Sequence, residues 1–278
     1  MTGLADTIVE AAPHRRKGSG LWYDAARYLF RQWSAILGMV ILGVMLLTAI
    51  FAPLVATHDP RISMLDVPEE AALRVKRRTP PCIHLLGCPE DQPQHIMGTD
   101  SNVRDLFSRV VYGSRYSLYV GFASVGFAIV IGSFLGAVAG YSGGWLDNIV
   151  MRVMDVLLAF PALLLAIAIV TVLGPGLVNA LLAIGIVSIP SYARVMRASV
   201  LSIKERDFVT ADRALGASPA RILVNRVLPN AMTPLIVQGT LGIATAILDA
   251  AALSFLGLGA QPPTPEWGTM LGAERNQV

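Results

Sequence analysis

The sequence lacks the short motifs that mark the commonest enzymatic sites. It contains no Gly-x-x-x-x-Gly-Lys-Ser/Thr loop to cradle nucleotide phosphates and no His-Glu-x-x-His metal motif. Its four histidines all precede residue 116, and no Ser/His/Asp or Cys/His arrangement of a hydrolase is present. We therefore expect no enzymatic activity, no catalytic residue, and no cofactor or metal ion held by this chain.

Charged residues are also scarce. They make up 15% of the 278 residues, hydrophobic residues make up 54%, and the mean hydropathy is +0.58. A soluble domain of this length needs far more polar surface, so the composition indicates a membrane protein. A helix needs about 20 apolar residues to cross the hydrocarbon core. Five runs come near or exceed that length, at about 34–55, 116–141, 156–173, 177–193 and 231–257. The sequence predicts an all-α, polytopic transmembrane helical bundle.

The basic residues predict how the chain is oriented. Five Lys or Arg precede the first run against three Asp or Glu, so the positive-inside rule places the N-terminal segment 1–33 in the cytoplasm. Counting spans puts 56–115 and 174–176 outside, and 142–155 and 194–230 inside. The loop 194–230 carries seven basic and three acidic residues, which agrees with this count. The topology accounts for the net charge of +3, and no nucleic-acid partner is expected.

The segment 207–230, DFVTADRALGASPARILVNRVLPN, predicts two short helices inside the loop 194–230. The first, over 205–215, places three apolar side chains on one face. These are Phe208, Ala211 and Leu215. Gly216 follows where a left-handed residue ends a helix, Ser218 and Pro219 begin the second helix, and Pro229 ends it. Polar helices of this kind project from a membrane and offer a surface to a partner, although an ordinary helical loop is the alternative.

The only two cysteines, Cys82 and Cys88, lie in the predicted outer loop. Two thiols that close a short loop in an oxidising compartment indicate a disulfide. A zinc site with His84 and His95 is the less favoured alternative, because no Cys-x-x-Cys pair is present.

An amphipathic helix is predicted just before the second span. Ser101 or Asn102 would cap it, and Val103 and Phe107 would share its apolar face. We interpret it either as an interfacial helix that ends where the chain enters the membrane at Tyr116, or as a helix packed on its own bundle.

Inside the membrane two patterns stand out. Gly132, Gly136 and Gly140 form a strip on which another helix can pack closely, in this chain or in a second subunit. Asp249 is the one acidic residue deep in an apolar run, where an unpaired carboxylate costs about 2.5–3.5 kcal/mol. It is therefore a candidate for lining a wet pathway, with a structural hydrogen bond as the alternative.

Three charged residues lie in the predicted inner turn between the second and third spans. They are Asp147, Arg152 and Asp155. Arg152 and Asp155 are three residues apart and could pair on one helix face, and we interpret the group as an anchor at the inner face.

The loop 207–230 resembles the EAA loop of ABC importer permeases, whose pattern is Glu-Ala-Ala, three residues, Gly, nine residues, Ile, one residue and Leu-Pro. Four positions match, namely Ala211, Gly216, Leu228 and Pro229. Thr210 and Asp212 replace the Glu and the second Ala, and Arg226 replaces the Ile. In the family this loop docks on the ATPase. The resemblance thus implies ATPase-coupling residues at Phe208, Ala211, Asp212, Leu215, Gly216, Leu228 and Pro229.

Three further segments resemble the dipeptide and oligopeptide branch of these permeases, at 98–118, 141–161 and 254–271. In the first segment Val103 replaces a Gly of the family. The first span and the long outer loop resemble those of the second permease subunit. The resemblance implies the type I importer fold, with a permease core over 116–278. Family members usually continue into a sixth span, so five spans are expected in this chain. The family's Glu at position 250 is Ala here, and Asp249 could stand in for it.

The resemblance also implies an assembly in the cytoplasmic membrane of a prokaryote. It would contain a second homologous permease subunit, two ATPase subunits or one fused ATPase that bind ATP and Mg²⁺, and an extracytoplasmic solute-binding protein. Peptides or similar small solutes would be the cargo. Two other functions stay open on the residues alone: a secondary transporter driven by an ion gradient through Asp249, and a membrane scaffold that transports nothing.

Overall fold

The computed structural model describes residues 30–63, 77–89 and 94–275. Most of the predicted N-terminal segment 1–33 lies outside these residues. The chain divides into two compact units, 1–47 and 48–278. In the first unit, helix α1 begins at Trp33 and runs on to Ile50, past the boundary at Leu47. Most of its apolar side chains are exposed, as expected of a helix that meets lipid.

The described residues of the second unit form helices joined by loops, with two isolated β-bridges and no β-strand, and this confirms the predicted all-α bundle. Its elements are α2 (Ala52–Val55), a 3₁₀ turn (His84–Leu86), α3 (Leu106–Ser142), α4 (Gly144–Leu158), α5 (Ala162–Leu173), α6 (Leu177–Lys204), α7 (Asp207–Ala214), α8 (Pro219–Ile222), a π turn (Leu223–Val227), α9 (Leu228–Phe255) and α10 (Trp267–Glu274). Among the described residues, four helical stretches are long and apolar enough to cross a membrane, or five if α4 and α5 count together.

Helices α3 and α6 run parallel at the centre of this unit. Ser124, at the middle of α3, donates a hydrogen bond to the Leu181 carbonyl near the beginning of α6 (3.1 Å), and Lys204 donates one to the Gly140 carbonyl near the ends of both helices (3.1 Å). The chain between them must therefore return across the bundle, and α4 and α5 supply that return. Helix α9 is antiparallel to α3, because Gly121 lies against Ile247 whereas Gly239 lies against Ile129.

These directions define two ends of the unit. One end, called the hairpin end because α7, α8 and the π turn form a helical hairpin there, carries 140–147 and 194–230, where α3 and α6 finish and α9 begins. The opposite end carries the beginning of α3, the 174–176 turn and 256–275. There Trp267 donates a hydrogen bond to the Val110 carbonyl (3.0 Å), and the Gly176 amide donates one to the Leu258 carbonyl (3.1 Å).

The glycine strip of α3 packs within the chain, against α6. A side chain at Gly132 would meet the Ile189 carbonyl, one at Gly136 the Ala193 carbonyl, and one at Gly140 the Arg197 carbonyl. Backbones that approach this closely gain van der Waals contact where lipid removes the hydrophobic drive. The sequence left the partner of this strip open, and the structure identifies it as α6.

The predicted third run, 156–173, is not one straight helix. Helix α4 begins at Gly144 and ends at Leu158, α5 begins only at Ala162, and the two are bent by 92°. Pro161 stands at the break, where its fixed φ and missing N–H interrupt the helical ladder.

The separate interfacial helix predicted before Tyr116 is wrong as an element. Helix α3 runs without a break for 37 residues from Leu106 to Ser142, so the amphipathic stretch is the first part of the span. Its N-cap is Asp105, which accepts a hydrogen bond from the Ser108 amide (2.8 Å), and neither Ser101 nor Asn102 caps it. Val103 has φ of 56°, a left-handed conformation that suits the Gly it replaces in the resembled family.

Candidate functional site

The hairpin formed by α7, α8 and the π turn is the candidate contact surface. Helix α7 covers Asp207–Ala214, slightly shorter than the predicted 205–215, because α6 continues to Lys204. Val209 is fully buried and holds α7 on the bundle. On the predicted apolar face, Phe208 is 40% exposed and Leu215 is 85% exposed. This face is therefore turned away from the chain's own core, and Val209, which the spacing did not single out, is the anchor.

Gly216 ends α7 as predicted. It has φ of 79°, its amide donates to the Arg213 carbonyl (3.1 Å), and the Ala217 amide donates to the Asp212 carbonyl (3.1 Å). These two bonds form a Schellman motif, which needs a left-handed residue at the Gly216 position. A side chain at Gly216 would meet no other atom within 4 Å, so only backbone conformation restricts this position.

Asp212 and Arg226 form an ion pair across the hairpin, with Arg226 Nε 2.7 Å from Asp212 Oδ2. Both residues depart from the EAA pattern, which has Ala and Ile at these positions. The structure brings the two departures together, so each compensates the other. Sequence reasoning noted each departure alone and did not pair them, although they have opposite charges.

Pro229 does not end the second helix, contrary to the prediction. The chain stays helical from Pro219 to Phe255 because a π turn, Leu223–Val227, precedes the proline. There the Leu228 amide bonds to the Leu223 carbonyl, five residues back. A proline needs no backbone donor and clashes with the carbonyl four residues before it, so the wider π turn accommodates Pro229 at the start of α9.

Ion pairs fix α4 to α6 next to the hairpin. Arg197 holds Asp147 through two hydrogen bonds (2.5 and 2.6 Å), and Arg194 holds Asp155 (2.6 Å). The predicted Arg152–Asp155 pair is therefore replaced by a pair between helices. Bidentate geometry strengthens the Asp147 contact. The hairpin therefore adjoins an end of the bundle at which ion pairs hold α4 against α6.

A cavity of about 460 Å³ opens between the ends of α6 and α9 beside the hairpin. Polar groups contribute to its wall, including Ser199, Ser202 and Arg206, together with the Phe208 ring. From α9 it receives Asn230, Thr233 and Pro234. The cavity thus lies between the exposed hairpin and the beginning of α9.

Asp249 is half-buried on α9, and it makes no hydrogen bond or ion pair with the described residues. It is far from the hairpin residues in sequence and belongs to the other half of the span. The structure therefore keeps the coupling candidates and the pathway candidate apart, at two levels of the bundle.

At the opposite end, Cys82 and Cys88 form the predicted disulfide, with Cα atoms 5.4 Å apart. Cys82 also exchanges two backbone hydrogen bonds with His95 (2.8 Å each), and the His95 ring donates to the Asp105 carboxylate (2.9 Å). The disulfide loop is thereby connected to the N-cap of α3. The zinc alternative had proposed His84, which is exposed on the 3₁₀ turn.

The one group in the described residues that could hold a metal ion is His58, His95 and Asp105, whose ligand atoms lie within 4.8 Å of one another. All three side chains take part in the contacts that pack residues 57–58 against the start of α3. Thr57 donates to Asp105 (3.3 Å), and the His58 amide donates to the Ser108 hydroxyl (3.0 Å). Burial disfavours the Asp105 carboxylate, but hydrogen bonds from His95 and Ser108 outweigh this and lower its pKa to about 2. The geometry supports a structural network.

The fold and the hairpin define a class of protein: a polytopic helical membrane protein that presents a short helix with an exposed apolar face at one end of its bundle. The inward-facing MetNI methionine ABC transporter has the same fold, with a TM-score of 0.52 and 22% identity over 61% of this chain and 81% of that chain. A second crystal form of that transporter matches with a TM-score of 0.50 and 24% identity, over 56% of this chain and 77% of that chain.

The family described as the binding-protein-dependent transport system inner membrane component matches residues 128–274, and the N-terminal domain of oligopeptide transport permease C matches 20–81. The dipeptide transport system permease protein DppC of Alkalihalophilus pseudofirmus is 45% identical over 92% of this chain and 78% of its own length. The di/tripeptide transport system permease protein DppC of Pseudomonas aeruginosa is 47% identical over 88% of this chain and 76% of its own length. The chain therefore belongs to the family of binding-protein-dependent transport system inner membrane components. It is a multi-pass transport subunit of the inner membrane, which confirms the resemblance found in the sequence.

Proposed function

We propose that this chain forms, with a second homologous permease subunit, the translocation pathway of an ATP-driven importer of peptides. The observation that carries the proposal is the exposed apolar face of α7, which is held on the bundle by buried Val209 and ended by left-handed Gly216. An apolar face of this kind on a projecting helix is typical of a surface that docks in a groove of another subunit. Two ATPase subunits or one fused ATPase, with bound ATP and Mg²⁺, are the proposed occupants.

In this proposal the hairpin end and the N-terminus are cytoplasmic, and the opposite end receives the extracytoplasmic solute-binding protein. Closure of the ATPases on ATP moves α7 as a rigid body. Because α7 is anchored beside the braced α4–α6 corner, its movement shifts the bundle between inward-open and outward-open states. Contacts at Phe208, Ala211, Asp212, Leu215 and Gly216 carry the movement, and Leu228 and Pro229 pass it into α9.

Peptides are proposed as cargo from the names of relatives. Besides the two above, one relative is the probable D,D-dipeptide transport system permease protein DdpC of Escherichia coli, 44% identical over 86% of this chain and 74% of its own length. A glutathione transport system permease protein GsiD of Escherichia coli is 41% identical over 91% of this chain and 78% of its own length. The peptides in these names differ in side chains, stereochemistry and linkage. They share a free amino group, which is protonated at neutral pH, and a carboxylate.

Substitution of Gly216 tests the coupling role. Gly216→Val forces a β-branched residue into a left-handed conformation, at a cost of about 1–2 kcal/mol, whereas Gly216→Asn tolerates that conformation. We expect ATP-driven peptide uptake into vesicles to fall about five- to thirtyfold in the Val variant, because 1.4 kcal/mol corresponds to a tenfold change, and to persist in the Asn variant.

Undiminished uptake in Gly216→Val would contradict the coupling role. Uptake that survives ATP removal and collapses with an ion gradient would favour the secondary transporter. Complexes with an ATPase that move no peptide would favour the scaffold.

A further inference from the structure

Asp249 has no oppositely charged partner among the residues that the structure describes. It lies half-buried on α9 with no hydrogen bond or ion pair among the described residues. The stretches 116–151, 153–193 and 227–274 contain no Lys or Arg, so no cation of this chain shares the span with it. A carboxylate in an apolar layer is stable only beside water or an opposite charge. Either water or an opposite charge from another molecule must therefore meet Asp249.

Asp249 is part of a polar stripe that runs along α9. At 100° per residue, Gln238, Thr245 and Asp249 lie within about 40° of one another on the helix. Thr245 is exposed, and its hydroxyl is held by the Gly242 carbonyl one turn below (2.9 Å). The buried side of α9 is a different sector. It is formed by Leu235, Gly239, Ala246, Ala250, Leu253 and Ser254, whereas Ala231, near the start of the helix, is buried at the angle of Asp249.

The stripe leads to the cavity beside the hairpin. Asn230 and Pro234 precede Gln238 by two turns and one turn, and both line the 460 Å³ cavity. The buried Tyr192 hydroxyl lies directly against Gly242, between the Gln238 and Thr245 levels, and adds a further polar group next to the stripe. Polar groups thus follow one another from Asp249 down to the hairpin end.

We propose that Asp249 is the subsite that holds the protonated amino terminus of a peptide during its passage along the polar stripe of α9. This inference rests on the proposed peptide importer and adds the chemical group that is recognised. The ammonium is the one cation that all of the proposed cargoes share, whereas their side chains differ. A single carboxylate that accepts hydrogen bonds from an ammonium recognises them without reading any side chain.

The variant Thr245→Cys, one turn from Asp249, measures the local charge directly. Both native cysteines are bonded to each other, so this substitution supplies the only free thiol of the chain. In the complete transporter in vesicles, we expect a trimethylammonium methanethiosulfonate to react about tenfold faster than a neutral methyl analogue, after correction for their intrinsic rates. The preference should vanish in Thr245→Cys/Asp249→Asn. Thr240→Cys, on the other side of α9, is the matched control and should show no preference that depends on Asp249.

Protection then identifies the ligand. With peptide-loaded binding protein and ATP, L-alanyl-L-alanine should slow modification of the Thr245→Cys thiol severalfold, and N-acetyl-L-alanyl-L-alanine at the same concentration should not. Asp249→Glu should retain this discrimination, and Asp249→Asn should lose it. A purely structural aspartate would not distinguish the two peptides.

Several results would overturn the inference: an unreactive thiol in Thr245→Cys, equal rates for the two reagents, a charge preference that survives Asp249→Asn, or equal protection by the acetylated peptide. Tight pairing of Asp249 with a cation of the second permease subunit would give the equal rates. If the wild-type vesicles take up no peptide at all, the proposed function fails. The reagent rates would still report whether Asp249 faces water.

Discussion

Among single residues, two positions of the hairpin that differ from the family pattern contact each other. Asp212 and Arg226 stand where the pattern has Ala and Ile, and they form an ion pair between α7 and the π turn. The Arg226 side chain is 57% exposed, so solvent screens the pair and its contribution to stability is small, about 0.2–1 kcal/mol. Its proposed effect is to fix the angle of α7.

A double-mutant cycle tests this pair. Asp212→Ala alone leaves Arg226 without its partner, and Arg226→Ile alone leaves Asp212 without its partner, so each should weaken ATPase binding by the complex about two- to fivefold. The double variant restores the Ala and Ile of the family pattern and should bind more tightly than the sum of the two single losses predicts. Affinity measured by titration of the ATPase onto the permease complex gives the coupling. Purely additive losses would show that the pair does not set the geometry.

His58 predicts a pH dependence at the opposite end. Burial lowers its pKa from 6.5, with the attraction of Asp105 acting in the other direction. Between the lowered folded pKa and 6.5 the unfolded chain therefore binds more protons, and stability falls as pH falls through this window. In detergent, the melting temperature of the wild type should drop more between about pH 7 and pH 5 than that of His58→Gln. An equal drop in both proteins would rule out His58 as a source of the pH dependence.

At the scale of elements, the parallel pair α3 and α6 depends on the glycine strip. A side chain at Gly136 would overlap the Ala193 carbonyl, whereas one at Gly126 on the same helix would meet nothing within 4 Å. Overpacking of this kind typically costs about 1–3 kcal/mol, and a clash with backbone lies at the upper end because a carbonyl cannot rotate away.

Gly136→Val and Gly126→Val form a matched pair of variants. Both add the same β-branched residue to α3, so helix propensity changes equally. We expect Gly136→Val to lower the melting temperature of the detergent-purified complex by several degrees and to lower its yield, and Gly126→Val to change neither. Equal behaviour of the two variants would mean that close packing on α6 does not support the bundle.

Part of the fold and of the candidate site could be predicted from the sequence. The apolar runs, Gly216 and the Cys82–Cys88 pair were predictable because each follows from local chemistry. The continuous α3 was missed because the polar side chains near its start, Ser108 and Arg109, are buried by loops distant in sequence. The π turn before Pro229 was missed because i→i+5 bonding has no distinct periodicity over five residues. The Asp212–Arg226 pair required the fold of the hairpin.

In the molecule as a whole, the candidate functional sites of the second unit lie at different levels along the bundle. The hairpin and the braced α4–α6 corner lie at one end, the disulfide loop and α10 lie at the other, and Asp249 lies on the span between them. In the proposed mechanism a movement of α7 acts through α6 and α9, the two helices that also line the cavity. This arrangement supports the proposal that one end couples to an energy source and the other receives cargo.

Leu215→Cys allows the most direct test of the central claim that α7 is a cytoplasmic docking surface for an ATPase. Leu215 is 85% exposed, and the substitution would supply the only free thiol of the chain. We predict that a membrane-impermeant thiol reagent labels it in inverted membrane vesicles stripped of ATPase, that added ATPase blocks the labelling, and that intact cells are not labelled. Labelling from outside intact cells, or labelling that the ATPase leaves unchanged, would contradict the account.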